Sequence, residues 1–171
     1  MKAAMGFLGA AALAFASTAQ AAGPTDPEIA HIAYTAGNID IAAAKQALAK
    51  SHNATVRAFA SEMVRDHQAV NDKALALLKE LKVTPQDNAT SDALSKQADA
   101  TLKRFAKLNE HDFDHAYLNN EVAYHGTVNS ALKTTLIPSA TNAQLKSLLE
   151  TGLALFTEHQ KHAEHLAATL K

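Results

Sequence analysis

Residues 25–56 read TDPEIAHIAYTAGNIDIAAAKQALAKSHNATV. Thr25-Asp26-Pro27-Glu28 has the marks of a helix start: a capping residue, a proline in the first turn and an acid three residues after Thr25. From there Ile29, Ile32, Ala36, Ile39, Ala43 and Ala47 recur at the spacing of one helical face. Ser51-His52-Asn53 interrupts the pattern, and Asn53 is placed to cap a second helix. That helix carries Val56, Phe59, Met63, Val70, Ala74, Leu77 and Leu81 on one stripe and ends at Val83-Thr84-Pro85. So short a break predicts an antiparallel hairpin.

Working toward the C-terminus, Gln86 to about Glu110 is a middle segment with one helix expected over Asp92 to Leu108, capped by Thr90 or Ser91. A long helix follows over about Asp112 to Leu136, with Leu118, Val122, Val128 and Leu132 on its stripe and Pro138 as its stop. Thr141 or Asn142 caps the last helix, which buries Leu145, Leu148, Leu149, Leu155, Phe156 and Leu166. Four long helices in two antiparallel hairpins, joined by a long, partly helical crossover, make an all-α chain of the ferritin-like four-helix-bundle class. Plain up-and-down neighbours with a fifth helix are the other solution.

Working toward the N-terminus, Lys2, the apolar run Ala3 to Ala16 and Ala19-Gln20-Ala21 follow the plan of a secretory signal peptide. Cleavage is expected after Ala21, leaving residues 22–171 as one domain in the periplasm or secreted, with no transmembrane helix. The apolar run falls short of the roughly 20 residues that span a bilayer. The chain has no Cys, so disulfides, lipoprotein anchoring and thiolate metal sites are excluded. A formal net charge of −1 gives no electrostatic case for nucleic acid. The absence of Trp argues against a surface that stacks sugars or bases.

The nine His are many for this length, and three of them interrupt apolar stripes. His67 lies four after Met63 and three before Val70; His125 lies midway between Val122 and Val128; His159 lies three after Phe156. On the first helix Asp40 sits at the edge of the stripe. At 1.5 Å per residue, Asp40 and His159 fall roughly 16 Å, and His67 and His125 roughly 23 Å, from the end bearing the first hairpin. All four belong to one layer. A buried imidazole or carboxylate must be hydrogen-bonded, paired or coordinated. Three imidazoles with a carboxylate suit Zn, Cu or Fe.

Asp40, His67, His125 and His159 are therefore the candidate ligands of a transition metal in the bundle core. Glu62, Asp66, Asp114, Glu121, Glu158 and His162 are candidates to support them. Gly37 and Gly126 stand beside Asp40 and His125, where helices could approach closely. The bland alternative is that each His is a core residue hydrogen-bonded to a Tyr, Asn or acid. Glu28 and His31 form an E-x-x-H pair, but in the first turn, far from the layer. A di-iron oxidase needs such pairs on two core helices, so an enzyme ranks below a binding protein, and no catalytic residue is assigned.

Ala36-Gly37-Asn38-Ile39-Asp40, Val56-Arg57-Ala58-Phe59-Ala60 with Met63 and Asp66-His67, Phe113-Asp114, Tyr117-Leu118, Val122, His125, Leu155 and Glu158-His159 together resemble domain-of-unknown-function family 4142. Its members are ferritin-like proteins of the bacterial envelope, often labelled outer-membrane proteins. The resemblance runs from about Asp26 to Leu166. It implies the ferritin-like fold and export, and no established activity. The family usually has Glu where this chain has Asp40, and Leu-Pro where Leu153-Ala154 stands. The first difference shortens a candidate ligand by one methylene. Two functions follow as expectations: a periplasmic protein that stores, buffers, senses or uses a transition metal, or a metal-free helical module of the envelope, in stress tolerance, with a protein partner or a peripheral place at the outer membrane.

Overall fold

The computed structural model describes residues 23–170, and the expected signal peptide lies outside them. The chain is all-helical, with five long helices: α1 Asp26–Lys50, α2 Ala54–Leu81, α3 Ala89–Ala106, α4 Glu110–Ala131 and α6 Ala143–Thr169. Between α4 and α6, the helix continues without a break through a π-helical turn, Leu132–Leu136, and a last turn α5, Ile137–Ser139. Among the described residues no helix is long and apolar enough to cross a membrane.

The starts are set by local chemistry. The Glu28 carboxylate accepts both the Thr25 N–H and its hydroxyl at 2.8 Å. Asn53 Oδ1 accepts from the N–H groups of Thr55 and Val56, and Asn142 does the same for Gln144 and Leu145. These side chains satisfy amides that a helix start leaves open. Helix α3 begins three residues earlier than expected because Asn88, rather than Thr90 or Ser91, is its cap, accepting from Ser91 N at 3.0 Å. Pro138 is not a stop. It stands in the first turn of α5, and the π turn before it lets the chain stay helical to Ser139.

Directions follow from the contacts at the ends. Helix α1 pairs with α2, and α4 with α6. Gln86 N donates to Pro27 O, so α2 ends where α1 begins. Helix α3 then runs back along α1: Asn88 Nδ2 donates to Glu28 O, Gln46 Nε2 to Leu102 O, and Lys50 Nζ to Ala106 O. His31 is half-buried and ties this return, with Ser91 Oγ at 2.9 Å and Asp87 at 2.9 Å. Helix α4 starts beside the end of α1, where Glu110 accepts from His52 N. It descends to Thr141 and Asn142, whose amides donate to Asp26.

The core has two apolar layers with a polar one between. One layer holds Phe59, Met63, Phe105, Phe113, Tyr117 and Leu118. The other holds Ile29, Ile32, Leu132, Leu136, Leu145, Leu149 and Phe156. Each such side chain stabilises the fold by about 1.5–3 kcal/mol when fully buried. On α2 the buried residue of the last turns is Leu78, with Leu77 and Leu81 half-buried.

Gly37 is required by close approach: a Cβ there would stand 2.4 Å from Asn71 Oδ1. Asn71 is buried and donates to Asn38 Oδ1 at 3.0 Å. Gly37→Ala is expected to destabilise by up to about 2 kcal/mol, a packing clash of about 1–3 kcal/mol set against about 1 kcal/mol of helix propensity. Urea unfolding measures it, and a variant as stable as the wild type would mean that Asn71 simply turns aside. Gly126 has no such role, since its nearest neighbour would be Gln160 Nε2 at 3.7 Å, ordinary contact.

Candidate metal centre

Four helices bring five polar side chains into the middle layer: Asp40 from α1, His67 from α2, Glu121 and His125 from α4, and His159 from α6. All are between 0 and 3 % exposed. His67 Nε2 and His125 Nε2 lie 3.4 Å apart. Asp40 Oδ2 is 3.6 Å from each of them. His67, His125 and His159 each offer a ring nitrogen within 4.8 Å of the other two. Donors around a tetrahedral ion with bonds of about 2.0–2.1 Å stand roughly 3.3 Å apart. The His67–His125–Asp40 triangle is close to that size.

Hydrogen bonds orient the rings. His125 Nδ1 is 3.0 Å from the Glu121 backbone carbonyl, so the N–H belongs there and Nε2 keeps its lone pair. His159 Nε2 stands 3.1 Å from Asp66 Oδ2. That carboxylate also accepts from Arg65 and is held below the usual carboxylate range, first by the Arg65 bond and further by His159. The His67 ring stacks on Phe156 at 4.5 Å between centroids. The Nδ1 atoms of His67 and His159 have no partner among the described residues.

The acids are under strain from burial. Asp40 is pushed up to about 7 by loss of water, with a hydrogen bond to Glu121 working against this. Glu121 is pushed well above its ordinary value by burial, by the Asp40 charge and by the same hydrogen bond. Asn120 is the other donor near Glu121 and works against its rise, and a proton held on Glu121 and donated to Asp40 would tie the two acids together. The imidazoles shift the other way. Burial drives His67 well down, helped by His125 and His159. Burial and His159 bring His125 to about 4. Burial lowers His159 against the bond to Asp66. Neutral imidazole is the form that coordinates a metal. The layer thus holds lone pairs that lack a donor, a role a cation would fill.

The sequence-predicted residues fall into three groups. Asp40, His67, His125 and His159 converge. Glu121, expected as support, belongs inside the cluster: its carboxylate, that of Asp40 and a His125 nitrogen lie within 4.8 Å of one another. Its position four before His125 was the signal. Glu62 and Asp66 group with His159 on the half-buried side, and His162 binds Glu62 at 3.0 Å.

Glu158 is a correction. It lies one residue before His159, about 100° around the helix, and its 69 % exposed side chain pairs with Lys161. Asp114 is buried but enters neither the all-histidine group nor the two carboxylate–imidazole groups. Glu28 and His31 serve a cap and the crossover, as described above, and stay outside the layer.

No curated protein and no solved structure matches the chain. The profile of the family described as a domain of unknown function, DUF4142, matches residues 10–166, and the chain belongs to that family.

Proposed function

We propose that this is a ferritin-like four-helix bundle of the periplasm, or secreted, that binds one transition-metal ion in its core. The bundle is α1, α2, α4 and α6, with α3 as the crossover. His67, His125, His159 and Asp40 would be the ligands, and Asp66 would orient His159. The observation that carries this reading is the donor triangle of 3.4, 3.6 and 3.6 Å among buried atoms of three helices. Isolated core histidines need no such convergence. Zn, Cu and Fe all accept this donor set. A single enclosed ion fits buffering, sensing or redox use better than bulk storage.

The second reading, a metal-free helical module of the envelope with a protein partner, draws on the Asp40–Glu121 proton, which lets the acids rest without a cation. Equilibrium dialysis of chelator-treated protein separates the two. One retained Zn, Cu or Fe ion per chain is expected, and none retained would leave only the module.

Removal of the partner that orients His159 is the companion test. Asp66→Ala is expected to weaken the metal about 10–100-fold and leave the helical circular dichroism unchanged. Competition against a colorimetric chelator measures it. An unchanged affinity would remove Asp66 and His159 from the site.

A further inference from the structure

Beside the polar layer lies a cavity of about 550 Å³. His67, His125 and Phe156 close one end of it, and its lining continues to Pro24, Leu136 and Leu145 at the other. Eleven residues of α6 separate Leu145 from Phe156, so the cavity extends roughly 16 Å along the bundle. Its size lies within the range of small-molecule sites, about 300–1,000 Å³.

The space comes from the choice of residues. Ala30, Ala33, Ala36, Ala74, Ala131 and Gly152 stand where large core side chains would fill it. The π turn contributes Leu132, Thr135 and Leu136 to the wall, and such turns recur at functional sites. Thr90, Thr127 and Thr135 of the lining are exposed, so the space opens to solvent along one side. No Asp, Glu, Lys or Arg is among the lining residues, so a charged group carried inside would have no counter-ion. One polar atom does await a partner: His67 lines the cavity, its side chain is 4 % exposed, and its Nδ1 has no hydrogen bond among the described residues.

We propose that this cavity binds a neutral, elongated apolar molecule, with a single hydroxyl or carbonyl group set against His67 Nδ1. At about 1.3 Å per carbon along an extended chain of roughly 1.5 Å bonds, a dozen carbons match the length. The site goes beyond the metal reading and does not rest on it, since its lining needs no ion.

The test uses the neutral fluorescent probe N-phenyl-1-naphthylamine, displaced by 1-dodecanol or by dodecanoate at pH 8, on chelator-treated and zinc-supplemented protein. One probe site per chain is expected, with 1-dodecanol displacing it at least about tenfold more tightly than dodecanoate, with and without zinc. Ala131→Phe and Ala33→Leu fill the cavity and are expected to weaken both ligands by about tenfold or more while zinc affinity is kept. Should Ala131→Phe fail to fold, Ala33→Leu, at a half-buried position, decides. No displacement by 1-dodecanol, equal binding of dodecanoate, or filled variants that bind like the wild type would each overturn the proposal. The last would place the probe on the surface.

Discussion

Zinc added to chelator-treated protein at a hundred times its dissociation constant is expected to raise the melting temperature by roughly 5–11 °C. Ligand that binds only the native state stabilises by about 2.7 kcal/mol at that excess, and a domain of this size gains about 2–4 °C per kcal/mol. The shift should vanish in His67→Ala and in His125→Ala, because each removes a corner of the 3.4–3.6 Å donor triangle. Both variants also start from a lower melting temperature, since each empties a buried position. The informative quantity is therefore the zinc-induced shift, read by differential scanning calorimetry on each protein with and without chelator. Variants that keep the full wild-type shift would place the ion elsewhere, and copper and iron are compared in the same way.

The second large effect is a dependence on pH that the metal-free protein should show and Glu121→Gln should lose. Both buried carboxyls have folded values raised above their unfolded ones: Asp40 to about 7, and Glu121 well up. Between its unfolded and folded values each acid is protonated in the native chain and ionised in the unfolded one. Stability then falls as pH rises, by about 1.4 kcal/mol per unit for one proton. The three imidazoles are lowered in the fold, so their contribution rises with pH up to about 6.5 and is constant beyond.

Below about pH 6.5 the two trends oppose each other. Above neutrality Asp40 has titrated and the imidazoles are silent, so Glu121 alone sets the slope. Tyr117 and Tyr124, which also face this layer, are pushed up by burial and by the two acids and stay neutral there. Urea unfolding with chelator present should give a maximum near pH 6–7 and, above neutrality, a fall of about 1.4 kcal/mol per unit for as long as Glu121 holds its proton in the fold. Glu121→Gln keeps a donor for Asp40 and removes the proton, so its alkaline limb should be flat. A variant that retains the wild-type slope would mean that Glu121 is already ionised in the fold. Saturating zinc should suppress the alkaline loss, because binding favours deprotonated ligands.

What the chain alone determined was the set of helices and the height of each polar residue. Caps at Asn53 and Asn142 are local hydrogen bonds, and residue height is an addition of 1.5 Å steps. Both can be read one helix at a time, which is why Asp40, His67, His125 and His159 were legible as one layer. Tertiary structure decided how each helix is turned about its axis. Asp40, at the edge of its stripe in sequence, is 1 % exposed because α1 also takes α3 on its flank, where Ile39 faces the crossover. The same rotation separates Glu121, drawn into the cluster, from Glu158, sent to solvent. The cavity has no sequence signature at all: six small residues on four helical segments leave a space only when the packed helices turn them toward one another. Rotation and empty space are properties of all the packed neighbours together, and no single helix carries them.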